Sequence, residues 1–164
     1  MTGALAGSAI AGIESLPLAV AMRQWLWLYP VVEIVHIVGF VILVGSIVVF
    51  DLRVLGLTRA LPVAALARHT LPWTLGALLL VVPTGLMMFT AHATDFVSNR
   101  AFVLKMALLM TAAGNAVWFH LGPYRSVAMW QTSVPAPAAA KASAALSIAI
   151  WVGIISCGRL LAYL

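Results

Sequence analysis

The sequence predicts an all-α integral membrane protein, a four-helix bundle preceded by a helix lying at the membrane surface. Three observations predict it. The chain of 164 residues is 64% hydrophobic and 8% charged, which leaves too little polar side chain to cover a soluble domain. Four apolar stretches reach the roughly 20 residues that a helix rising about 1.5 Å per residue needs to cross a hydrocarbon core of about 30 Å. The connections between them are short, which predicts one compact bundle without a soluble domain.

Residues 1–29 form a segment ahead of the transmembrane domain, 30–164. They lack the basic start of a secretory signal, with Arg23 as their one basic residue, which predicts no cleaved leader. Ser15 followed by Pro17 opens a helix, and Leu16, Val20, Trp25 and Trp27 beside Arg23 and Gln24 give it an interfacial composition. A fifth crossing is the alternative for this segment.

The spans run from Pro30 to Val54, Leu71 to Ala91, Phe102 to Leu121 and Ala142 to Ala162. The second holds no charge, and the first holds none between Ile37 and Phe50. Lys105 and Arg159 lie near span ends, where long side chains bend toward the headgroups. The last connection contains SVPAPAAAKAS, whose prolines favour an extended turn.

The face where the first span begins is termed side A and the opposite face side B. Side B carries Arg53, Arg59, Arg68, Arg125 and Lys141, against Arg23, Arg100, Lys105 and Arg159 on side A. The positive-inside rule then predicts a cytoplasmic side B and both termini on the periplasmic side of a bacterial inner membrane. The net charge of +5 is spread around the rims without forming a stripe, so the bases suit anionic lipid and not nucleic acid. Cys157 is the single cysteine, which excludes an intramolecular disulfide, and it reads as a small packing residue.

The histidines sort by leaflet. His36 and His92 approach side A, while His69 and His120 approach side B. His69 and His92 are separated by roughly 34 Å of helix and cannot share an ion. Two imidazoles from separate helices at similar depth are what a six-coordinate haem needs. The pairing therefore predicts one or two b-type haems, held by His36 with His92 and by His69 with His120. A macrocycle also needs small neighbours, and Gly39, Gly85, Ala113 and Ala116 return to the histidine faces. His36 is the deepest of the four, its structural alternative being a hydrogen bond between helices. The others have interfacial or helix-capping alternatives.

Glu33 with His36, and His92 with Asp95, form two spaced pairs on side A. Their nitrogen and oxygen donors predict, as the alternative cofactor, a single zinc or copper ion on Glu33, His36, His92 and Asp95. Asn115, Ser46, Thr84 and Thr111 are expected to hydrogen-bond neighbouring helices. Pro83 is expected to bend the second span. Asp51 and Arg53 are expected to pair with each other, with Arg68 or with lipid.

The stretches VVEIVHIVGFVILVGSIVVFDLRVLGL, LPWTLGALLLVVPTGLMMF and FVLKMALLMTAAGNAVWFH resemble a group of uncharacterised bacterial inner-membrane proteins with four helices, over roughly Pro30 to Pro123. More distantly, His36 with Gly39, and Lys105, resemble the membrane protein that oxidises protoporphyrinogen and the copper-resistance membrane proteins of the D type. That resemblance implies a haem on His36 and a functional base at Lys105. It departs at the arginine expected inside the first helix, since Arg53 stands at its far end.

The functional expectation is a cytochrome b-like electron-transfer protein, exchanging electrons with quinone or a redox partner subunit. A copper or zinc carrier is the rival from the transport class. An accessory subunit of a larger membrane complex, or a homo-oligomer, is the rival from the structural class.

Overall fold

A computed structural model describes residues 10–132, 134–161 and 163. The expectation about a leader falls largely on residues 1–9, outside the described residues. The chain is a helical bundle with four long apolar helices, each long enough to cross a membrane. In order, the elements are α1 (Pro17–Gln24), α2 (Leu28–Leu55), α3 (Val63–Ala91), α4 (Ala93–Ser98), α5 (Arg100–Leu121), a 3-10 turn (Pro123–Ser126), α6 (Val127–Trp130) and α7 (Ala138–Leu160).

Helix α1 opens with Pro17 in its first turn, where the missing N–H costs nothing. At 8 residues it is too short to cross by itself, and among the described residues the long apolar helices number four. It packs against α3, with Met22 buried beside Val32 and Ala91. Arg23 donates to Ala91 O at 2.9 Å, satisfying a carbonyl at the α3 C-terminus, and to Glu14 O at 2.6 Å. Glu14 Oε1 in turn accepts from Thr94 N at 2.7 Å. That bond holds the Glu14 carboxyl below its ordinary value, with the charges of Arg23 and His92 as smaller contributions.

Helix α2 ends at Gly56, whose φ of 116° is open to glycine without strain. Its N–H closes on Leu52 O and Arg53 O, and Leu57 N returns to Leu52 O. Helix α3 starts earlier than hydropathy suggested. Pro62 precedes it, and the Arg68–His69 region expected in a loop is helical. Polar residues at a helix end facing water or headgroups weaken a hydropathy signal without weakening the helix. Pro72 and Pro83 both lie inside α3, which continues through them. Asn99 caps α5, its side chain accepting from Ala101 N and Phe102 N.

Arg53 and Asp51 are a correction. Both are 6% exposed, yet they do not pair. Arg53 instead donates to Leu61 O at 2.6 Å, Arg59 O at 3.1 Å and Gln131 O at 2.8 Å. A planar guanidinium with several donors suits three carbonyls converging from two loops. It ties the α2–α3 connection to the chain beyond α6.

The long helices pack unevenly. Helix α2 packs along α3 and also against α7, and α5 packs along α7. Among the described residues the backbone of α5 does not approach α2 or α3. Side chains bridge the gap near side A, where Phe89 stacks on Phe102 with centroids 5.7 Å apart. Three buried clusters occupy successive depths. Met22, Val32 and Ala91 lie near side A. Leu43, Ala77, Ile150, Trp151 and Ile154 fill the middle. Val54, Val63, Phe119, Trp130, Ala140 and Ala144 lie near side B. Outward positions such as Leu79 and Met110, 77% and 74% exposed, carry apolar side chains fit for lipid.

Candidate functional site

The deepest histidine is absorbed into the α2–α3 seam. His36 Nδ1 lies 3.0 Å from Thr84 Oγ1, and Thr84 Oγ1 itself donates to Leu80 O at 2.5 Å. A hydroxyl has one proton, so Thr84 must accept from His36, and Nδ1 carries the hydrogen. In the neutral ring Nε2 then keeps a lone pair. The structural alternative for His36, an inter-helix hydrogen bond, is therefore realised.

The glycines read as space for a macrocycle are spent on helix packing. A Cβ at Gly39 would lie 3.0 Å from Val81 Cγ2 and 3.1 Å from Leu80 Cβ. One at Gly85 would lie 3.1 Å from His36 Cε1. Small residues let the two backbones approach and leave no slot between α2 and α3.

His36 stands opposite Thr84 and Gly85, roughly 10–12 Å of helix short of His92. The pair expected at one iron is not brought together. His92 sits at the α3–α4 junction, its ring edge-on to Tyr29 at 5.9 Å and its Nδ1 3.8 Å from Asp95 Oδ2. Glu33 is exposed on α2. Among the described residues no group of three or more histidine, cysteine, aspartate or glutamate side chains is placed to hold a metal ion. Glu33, His36, His92 and Asp95 therefore do not converge as a set.

Lys105 reaches α7 near its side A end, its Nζ 3.9 Å from a Cβ built on Gly158. Cys157 is buried, as expected of a packing residue.

At side B the pattern differs. A cavity of about 420 Å³ lies among α2, α3, α5 and α7, with Asp51, Arg68, His120 and Tyr124 among its polar lining. Ala113 and Ala116, expected to clear space beside His120, do line it. His120 Nδ1 donates to Ala116 O at 2.9 Å, since a carbonyl only accepts, and its ring lies 5.3 Å from Tyr124. His69 is exposed and outside that lining, although Arg68 and Thr70 belong to it. The cavity thus recruits one of the two side B histidines.

Asp51 is the residue that sequence reasoning missed. It lines the cavity together with Ser147, and its Oδ2 is buried without a partner. A carboxylate one turn inside the end of an apolar run was a signal, but its neighbour Arg53 offered a simpler partner. The other wall groups satisfy one another. Asn115 Nδ2 donates to Ser143 O at 3.0 Å, and Ser143 Oγ donates back to Asn115 Oδ1 at 2.9 Å. Ser46 and Thr74 hydroxyls lie 2.8 Å apart. Thr111, expected to bond a neighbouring helix, donates to Ala107 O of its own helix.

No curated protein and no solved structure matches the chain, so the distant resemblance to the protoporphyrinogen-oxidising and copper-resistance proteins gains no support. The model of a family of unknown function, DUF6644, matches residues 27–164, which takes in all four long helices and leaves out α1. The chain belongs to the DUF6644 family.

Proposed function

We propose that this multi-pass membrane protein is an electron-transfer component of the bacterial inner membrane, carrying one b-type haem on His36. The observation that carries the reading is the ring orientation. Thr84 holds the Nδ1 hydrogen, which leaves Nε2 as a lone-pair donor inside an apolar protein. Histidines that bind metals are commonly oriented by an acceptor on the other ring nitrogen. Haem supplies one-electron chemistry when bound. Since the α2–α3 seam is closed, a ligand on His36 would approach from outside that seam. Lys105 from α5 offers a cation near the imidazole, suited to a carboxylate of the ligand. A second haem on His69 and His120 has less support, because only His120 reaches the cavity.

The test is a visible spectrum of the purified chain. A Soret band that disappears in His36→Ala and survives in His92→Ala and His120→Ala supports the reading. Protein without the band, or with zinc or copper bound in its place, defeats it. Orientation is tested separately. Reporters fused after residues 29 and 164 should reach the periplasm, and reporters at 60 and 135 the cytoplasm, as the basic residues of side B favour.

A further inference from the structure

We infer that the side B cavity is a binding site for a lipophilic aromatic diol, a molecule of the quinol class, held between the Asp51 carboxyl and the His120 imidazole. The size is suitable, since about 420 Å³ lies in the range of small-molecule sites. Leu43, Ile47, Phe50, Leu78, Phe119 and Trp151 give the lumen an aliphatic and aromatic wall fit for a flat apolar ring. Access is lateral. The backbones of α3 and α5 do not approach each other, so a molecule dissolved in the bilayer has side chains and not helix backbone to displace.

The polar groups set the chemistry. Asn115 is paired with Ser143 and Ser46 with Thr74, so these ask nothing of a ligand. Arg68 and Tyr124 bring donors to the same lining, and two acceptors remain for a ligand to meet. Asp51 is only 6% exposed, and no protein group satisfies its Oδ2. A carboxyl turns readily about Cβ–Cγ, so either oxygen can serve a ligand. His120 has committed its Nδ1 hydrogen to Ala116 O, which leaves Nε2 of the neutral ring as an acceptor. His120 is exposed, whereas Asp51 is buried, and a buried acceptor without a donor is costly, a cost that a ligand supplying the donor recovers.

Two acceptors on the wall of an apolar lumen call for a rigid apolar body with two hydrogen-bond donors. An aromatic diol has that form. Its oxidised dione offers acceptors only, which suits Arg68 and Tyr124 but leaves the Asp51 carboxyl without a donor. A lipophilic cation would satisfy Asp51 but would share the lumen with Arg68. The inference rests on the electron-transfer reading only for the use made of the bound molecule, and the binding argument involves neither haem nor His36.

The experiment is anaerobic calorimetric titration of the full purified chain in detergent micelles, with empty micelles as the blank. The probes are trimethylhydroquinone and its dimethyl ether, which keeps the body and lacks the donors. The diol should bind at least about tenfold more tightly than the ether. Asp51→Leu and His120→Phe should each bring the diol down toward the ether, and Ala113→Trp should fill the lumen and abolish both. Should Asp51→Leu fail to fold, Asp51→Asn keeps the shape with a weaker acceptor and should still reduce diol affinity. Equal affinity for diol and ether overturns the inference, as does diol binding that survives Ala113→Trp. Asp51-dependent binding of tetraphenylphosphonium in preference to the diol also overturns it, in favour of a cation site. A chain that binds the diol but lacks a Soret band defeats the haem reading alone, whereas a His36-dependent Soret band without diol preference defeats this inference alone.

Discussion

The seam between α2 and α3 and the cleft beside α5 are built from the same materials, histidine and small residues, with opposite results. In the seam, Gly39 and Gly85 bring backbones together and His36 spends one ring nitrogen on Thr84. In the cleft, Ala113 and Ala116 line an opening because no helix is drawn against them, and His120 bonds within its own helix. A small residue makes room only where the helix opposite stays away. Glycine removes the side chain that would hold a neighbour off, whereas alanine keeps a methyl group and the neighbour here is already held by other contacts.

Enlarging the small residues tests that contrast most strongly. Gly39→Val should destabilise the fold by about 3 kcal/mol, since its side chain would meet Val81 and the stem of Leu80. Ala113→Leu should cost nothing or stabilise, because it fills open space. Reversible unfolding in mixed micelles reads both, and equal losses would break the comparison. Next comes the latch that frames the mouth of the cleft. Arg53→Met removes the donors to Leu61, Arg59 and Gln131, of which Gln131 O keeps the Val63 N–H, for a loss of about 2 kcal/mol. Protease nicking of the chain after α6 should rise with it, and unchanged resistance would mean that other contacts hold the loop.

Polar pairs should be worth less. Asn115→Ala and Ser143→Ala each remove bonds between α5 and α7, and a double-mutant cycle should return a coupling of about 1 kcal/mol. Coupling near zero would show the pair to be ornamental within the membrane. Thr84→Val should cost about 0.6–1 kcal/mol. It should also release the His36 tautomer, so nitrogen shifts should show the Nδ1–H form giving way to a mixture. A ring that keeps its hydrogen on Nδ1 would credit another acceptor.

The smallest effect belongs to Glu14, at the side A rim. Its carboxyl is held below the ordinary value of 4.5, first by the Thr94 N–H. A depressed folded value means a contribution present above the unfolded value and lost as pH falls through the folded one. The carboxyl shift of Glu14 should therefore titrate below 4.5, and Glu14→Gln should flatten that part of the acid profile. Titration at or above the ordinary value would dissolve the contact.

The number and approximate extent of the long helices were legible in the sequence because each must close its own backbone hydrogen bonds and show lipid an apolar surface. Those are local demands, met residue by residue along one helix. Pro17 likewise announced a helix start. The depth of each histidine could also be read, since depth follows from counting along the chain. Which side chains meet could not. His36 fell opposite Thr84 and not His92, Arg53 turned from Asp51 to three carbonyls, and Lys105 reached Gly158 on α7. Rotation about a helix axis and register between helices decide such encounters. They arise from packing between segments distant in sequence, and composition and spacing along one segment do not encode them. The sequence by itself determined a membrane bundle with four imidazoles at known depths. Only the tertiary structure decided that one imidazole would be tied into a closed seam while a carboxylate and another imidazole would be left open to a cavity.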